Sequence, residues 1–238
     1  MNKLFIFGCS YSEDIEIPTH PNYLKYKAYR QGNLPKTWCN LLADKLELSE
    51  VNYAKGGIGN QSIFRNFCNH AHEIKKNDTV ILEWTHMHRY DWSGYDGSFY
   101  TVGVGKVNDS NGLNNYIHEA IIMNRDSVAY INEIYDYMNL IDSFLSSLNV
   151  NLYFWSGDSN DNFFYGNLEL LEKYGKKLLV FSEIERGSNP QAHVVHKLGG
   201  QTIDLETNFQ ILDGHLGETG HKILCDFFYD HIKTNKFI

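Results

Sequence analysis

Leu4-Phe5-Ile6-Phe7-Gly8-Cys9-Ser10-Tyr11-Ser12 is an apolar run that stops at a glycine and hands over to small and polar residues. Four large apolar side chains in succession leave no polar face, as in a strand covered on both sides within a parallel sheet. A serine at the carboxyl end of such a strand stands where open α/β sheets bind their ligands. Its complement lies near the other end of the chain, in Asp213-Gly214-His215, shortly before a final helical stripe. A serine hydroxyl at its ordinary pKa is a poor nucleophile; it needs a base, and the base needs a carboxylate to orient it. Ser10, His215 and Asp213 supply the three types, an arrangement that acyl-transfer chemistry uses.

Beyond this run, strand and helix signals alternate. Trp38, Leu41, Leu42 and Leu46 recur at helical spacing, and Val51 to Ala54 reads as a second strand. Lys55-Gly56-Gly57-Ile58-Gly59-Asn60 is a tight glycine loop, succeeded by a helical face of Ile63, Phe64, Phe67, Ala71 and Ile74. Thr79 to Leu82 is a third buried strand, ending near Trp84. Ile131 to Leu148 carries a helical stripe, Asn151 to Trp155 reads as a fourth strand, and Ile223 to Ile232 marks the last helix. Leu178 to Phe181 and Thr202 to Leu205 are candidates for further strands or short edge pieces. Residues 13 to 35, with Pro18, Pro21 and Pro35, predict an irregular excursion. Residues 90 to 124 predict an irregular insertion, of a length that is usually functional or mobile. The alternation predicts a doubly wound, mainly parallel sheet in one α/β domain over 1–238.

Composition narrows the function. With 238 residues the chain suits one sizeable domain. A net charge of −8 without a Lys/Arg run speaks against a nucleic-acid partner. No stretch reaches membrane-spanning length, and the first apolar run is too short for a signal peptide, so no membrane partner and a cytoplasmic location are expected. The four cysteines, Cys9, Cys39, Cys68 and Cys225, lie far apart and are expected to be reduced thiols. His86, His88, His215, His221 and Asp213 are ligand types, but no Cys pair or His-Glu helix motif accompanies them, and no metal is assigned. Cys9 is an alternative nucleophile, since a thiolate at a helix N-terminus is activated. Taken singly, Ser10 also reads as a turn residue, Gly59 as a tight-turn glycine, and His215 as a surface or core histidine. Tyr90, Trp92, Tyr95, Phe99 and Tyr100 read equally as a platform for sugar rings and as cover for a core edge or interface.

Phe7-Gly8-Cys9-Ser10-Tyr11-Ser12 resembles the first signature block of the SGNH hydrolases, the GDSL esterases and lipases. Gly59-Asn60 looks like their second block, and Asp213-Gly214-His215 with Gly220-His221 like their last. The resemblance covers residues 4 to about 90 and 200 to 235. It implies a three-layer, flavodoxin-like α/β/α fold and a cofactor-free serine esterase acting on a carbohydrate or small-molecule ester, with acyltransferases among the relatives. It also implies Ser10 as nucleophile, His215 as base, Asp213 as its orienting group, and the backbone N–H groups of Ser10 and Gly59 as oxyanion donors. Cys9 stands where the family commonly has Asp, and Trp84 to Arg89 holds no Asn to supply the third-block amide. Thr85, His86 or Arg89 are the candidate replacements. Asn60, Arg89, Tyr90 and Trp92 are the expected substrate contacts. The absent amide also leaves open a catalytically weakened binding module of the same fold. Ser12, where a glycine would be needed, separates the first block from the α/β-hydrolase elbow.

Overall fold

The computed structural model describes residues 1–86, 89–93, 99–102, 127–157, 168–179 and 190–235. Four parallel strands form the central sheet: β1 (Lys3–Phe7), β2 (Ser49–Asn52), β3 (Thr79–Trp84) and β6 (Asn151–Ser156), in the order β2-β1-β3-β6. The chain moves from β1 to β2 on one side, then crosses to β3 on the other. The sheet therefore changes direction at the carboxyl ends of β1 and β3, where such folds open a crevice.

Alternation along the strands divides the core into two. Phe5, Phe7, Val80, Leu82, Leu152 and Phe154 pack on one face with Ile63 and Phe67 of α3 (Asn60–His70) and with Ile134, Met138, Ile141 and Leu145 of α4 (Ser127–Ser146). Leu4, Ile6, Ile81, Tyr153 and Trp155 pack on the other. There they meet Trp38, Cys39 and Leu42 of α2 (Trp38–Leu46) and Leu224, Cys225, Phe228 and Ile232 of α8 (Glu218–Thr234). Both faces of the sheet are thus closed by helices, which is the expected three-layer arrangement.

The excursion at 13 to 35 is more ordered than its prolines suggest. Pro21 occupies the first position of α1 (Pro21–Tyr29), where its missing N–H costs nothing, and His20 caps the start. Tyr23 and Tyr26, three apart, turn one face of α1 onto Ile203 and Ile211. Thr202 to Leu205 is also corrected: Ile203–Glu206 is the short helix α7, and only Thr202 makes a β-bridge, to Leu216. Leu178 is an edge piece, bridged to Phe154 after α5 (Leu168–Tyr174), and α6 (Pro190–His196) comes next. Within the insertion, β4 (Tyr90–Ser93) and β5 (Phe99–Val102) pair as an antiparallel hairpin, so part of it is regular. The remainder of the insertion lies outside the described residues.

Candidate active site

Ser10 stands in a turn closed by the Ser12 N–H donating to the Cys9 carbonyl at 3.1 Å, not at a helix start. The turn is pinned from two directions. Trp38 Nε1 donates to the Tyr11 carbonyl at 2.8 Å, and Asn52 Nδ2 to the Ser12 carbonyl at 2.8 Å. Because the Cys9–Ser10 peptide is trans and its carbonyl faces into the turn, the Ser10 N–H faces out of it. Cys9 is fully buried, and burial, together with the neighbouring Glu83 carboxyl, pushes its thiol far above the ordinary range. That disposes of Cys9 as the nucleophile, which would need thiolate character.

Asp213 and His215 sit on the loop between α7 and α8. His215 Nδ1 donates to Asp213 Oδ1 at 2.6 Å, and the His215 backbone N–H reaches the same oxygen at 3.0 Å. With its proton on Nδ1, a neutral imidazole presents a lone pair at Nε2. The second carboxylate oxygen, Oδ2, accepts Asn22 Nδ2 at 3.0 Å from α1. Burial pushes the Asp213 pKa up, but the His215 hydrogen bonds and charge, with Asn22, outweigh it and hold the value at about 2. The loop is itself anchored, with Ile203 N–H donating to the His215 carbonyl and Asp204 N–H to that of Asp213. Ser10 and His215 line one narrow cavity together with Tyr11, Tyr23 and His221. No hydrogen bond joins Ser10 to His215 among the described residues.

His221 is not a second base. Its Nδ1 accepts the Trp38 N–H at the start of α2 at 3.2 Å. Burial, then the charge of His215, holds its pKa down at about 3. It is a neutral acceptor inside the protein. Among the described residues no group of three or more metal-ligand side chains converges.

The oxyanion expectations need correction. Gly59 is the N-cap of α3 and has no side chain to satisfy the helix start. Asp91 of β4 does so instead: Oδ1 accepts the Gly59 N–H at 3.0 Å and Oδ2 the Ser62 N–H at 2.6 Å. A Cβ on Gly59 would lie 2.8 Å from that carboxylate, so the glycine makes room for Asp91. The Gly59 amide is therefore committed to Asp91 and does not point at a substrate oxygen. Thr85 and Asn60 are likewise engaged with each other. Thr85 N–H donates to Asn60 Oδ1 at 2.7 Å and Asn60 Nδ2 to the Thr85 carbonyl at 2.9 Å, both residues being buried. They clasp α3 to the end of β3, which removes Asn60 as a substrate contact and the Thr85 amide as a donor. Arg89 Nη1 donates to Thr85 Oγ1 at 3.0 Å and so supports the same clasp.

His86 is nearer the cavity. Its Nε2 lies 3.3 Å from Tyr11 Oη, and the Tyr11 ring is near both the His86 and the His215 ring, at centroid distances of 6.0 and 5.9 Å. The side chains of Tyr90 and Trp92 lie outside the described part of the structure. The Ser10 N–H makes no hydrogen bond among the described residues, which keeps it available as an oxyanion donor.

No protein-family model and no curated protein sequence matches this chain. Solved structures do. A G-D-S-L family protein from Desulfitobacterium hafniense matches at a TM-score of 0.51 and 9% identity, over 97% of this chain and 99% of that one. A member of the lipolytic protein G-D-S-L family from Veillonella parvula matches at 0.48 and 12%, over 97% of each chain. An acetyl xylan esterase from Butyrivibrio proteoclasticus matches at 0.44 and 11%, over 98% of this chain and 64% of that one. The chain has an SGNH-hydrolase-like fold, with a parallel sheet between two helical layers.

Proposed function

We propose that the protein is a serine esterase of the SGNH type that removes an acyl group, acetyl being the first to test, from a glycan or small-molecule ester. The observation that carries the reading is the Asp213–His215 pair, hydrogen-bonded at 2.6 Å, opening onto the cavity that Ser10 also lines. In this reading His215 Nε2 takes the Ser10 Oγ proton as Oγ attacks the acyl carbon. Asp213 holds the ring and stabilises the imidazolium. The Ser10 N–H faces the developing oxyanion. His215 then passes the proton to the departing alkoxide, leaving an acyl-serine. Water, activated by the same imidazole, releases the acid; an acceptor hydroxyl in its place makes the protein an acyltransferase.

A second reading, a binding module with weakened catalysis, is favoured by the engagement of the Gly59 amide with Asp91. Hydrolysis of p-nitrophenyl acetate separates the two. The esterase shows a burst of nitrophenol and an acylated Ser10, both abolished by Ser10→Ala. Hydrolysis unchanged by that substitution excludes the serine mechanism, and retained carbohydrate binding in the absence of any burst supports the module.

A further inference from the structure

Glu83 is a carboxyl that the mechanism above does not use, in a place where carboxyls are costly. It lies in Thr79-Val80-Ile81-Leu82-Glu83-Trp84, a strand buried at every position, and is itself fully inaccessible. Taking a carboxyl out of water costs several kcal/mol unless partners compensate, and an apolar side chain of similar size avoids that cost. Fold stability alone therefore gives no reason for an acid here.

Its surroundings are built to receive it. Phe7 pairs with Leu82, so Gly8 comes level with Glu83 on the β1 side. A Cβ on Gly8 would lie 2.5 Å from Glu83 Oε2, and one on Gly157, just past β6, would lie 2.9 Å from Oε1. Gly8 is thus level with the carboxyl, and Gly157, two residues past the Trp155 that pairs with Glu83, borders it together with the Tyr11 ring. Within that slot each oxygen has a partner in Cys9: Oε2 accepts the Cys9 N–H at 3.1 Å, and Oε1 accepts the Cys9 Sγ–H at 2.8 Å. Cys9 immediately precedes Ser10. Its N–H and side chain are held by Glu83 and its carbonyl by the Ser12 N–H. The peptide that carries the Ser10 N–H is fixed from both ends.

We propose that Glu83 is a positioning residue for the nucleophile: its buried carboxyl holds Cys9 so that Ser10 Oγ and N–H keep the orientation that acylation requires. This rests on the serine-esterase reading of the site. A purely fold-holding Glu83 and a positioning Glu83 differ in what is lost when the carboxyl goes.

The test compares Glu83→Leu, Glu83→Asp and Glu83→Gln with the unaltered protein. Circular dichroism reports folding, p-nitrophenyl acetate gives kcat and KM, and a fluorophosphonate gives the rate of Ser10 labelling, located by peptide mass spectrometry. Glu83→Leu removes the acceptor, and Glu83→Asp keeps a carboxyl one methylene too short to reach. In the folded Leu and Asp variants kcat and the labelling rate should fall by about 10²-fold, the scale expected when a reacting group is misplaced by about an ångström, with KM little changed. Glu83→Gln, whose amide oxygen can accept the Cys9 N–H, should restore most of the rate. Should Glu83→Leu not fold, Glu83→Asp decides. Undiminished labelling in a folded Leu or Asp variant overturns the inference while leaving the esterase reading intact. So does a loss not restored by Gln, and unfolding of all three variants, which marks a fold-holding role. Failure of Ser10 to label in the unaltered protein overturns the esterase reading and this inference with it.

Discussion

Asn22 Nδ2 donates to Asp213 Oδ2 at 3.0 Å, on the oxygen that His215 leaves open. The helix that brings Asn22 is tied down independently. Arg30 pairs with Glu206 and, at 2.6 Å, with Glu218, while Glu206 Oε2 also accepts the Glu218 N–H at 3.0 Å. Helix α1 thus reaches both elements that flank the Asp213 loop.

Asn22→Ala should lower kcat on p-nitrophenyl acetate by about tenfold, the scale of one hydrogen bond to a charged group. It should also move the acid behaviour of the protein. Asp213 is held at about 2, below its ordinary 3.8, so its contribution to stability is present above the ordinary value and is lost as pH falls through the folded one. Without Asn22 the folded value rises, and that contribution shrinks. Urea midpoints between about pH 5 and pH 2 check this; an unchanged pH profile with unchanged kcat shows that Asn22 does not act on Asp213.

His221 acts in a higher window. Buried neutral at about 3, against an ordinary 6.5, it takes up a proton in the unfolded chain before it does so in the folded one. Stability should therefore fall as pH drops from about 6.5 towards 3. His221→Gln offers an amide oxygen to the Trp38 N–H and removes that titration. Unfolding midpoints measured across this range should show a flatter pH dependence in the variant, and equal slopes exclude the effect.

Asp91→Ala removes the acceptor for two N–H groups at the start of α3. The cost should be about 1–2 kcal/mol in urea unfolding, as for the loss of other helix caps. An activity gain at undiminished stability would identify Asp91 as an obstruction to the Gly59 amide in place of a cap.

Thiol reagents should leave the activity intact. Cys68 is exposed, whereas Cys9, Cys39 and Cys225 are buried, and burial, the largest effect in each, pushes their thiols up. Under native conditions iodoacetamide should modify Cys68 alone, with full retention of ester hydrolysis. Inactivation accompanied by Cys9 labelling would return Cys9 to the role of nucleophile.

The layers were legible in the chain because strands buried on both faces leave long apolar runs, as Leu4 to Phe7 and Thr79 to Leu82 do. The Asp213–His215 pair was legible because its members are two residues apart. Groups that depend on tertiary approach were not. Asp91 reaches Gly59 from a hairpin after the next strand, and Asn22 meets Asp213 from the other end of the chain. Each looks like an ordinary polar residue until the elements dock. Two clues were present nonetheless. Glu83 interrupts an apolar strand, which calls for a partner, and Gly59 at a helix start cannot supply the side-chain acceptor that such starts use. Residues 202–205 misled because the β-branched Thr202 and Ile203 favour strands, yet the chain closes Ile203–Glu206 into a helical turn.

The alternation in β1 acts as a phase setting for the turn beyond it. Phe5, Phe7 and Cys9 belong to one core cluster, Leu4 and Ile6 to the other. The count from Phe5 therefore decides that residue 9 is sunk into the sheet and residue 10 is left at the cavity. Inserting one residue between Lys3 and Phe7 would advance the turn by one position, bringing Cys9 to the place that Ser10 holds at the cavity. A one-residue insertion there would cost the protein its hydroxyl at the cavity and put a thiol in its place.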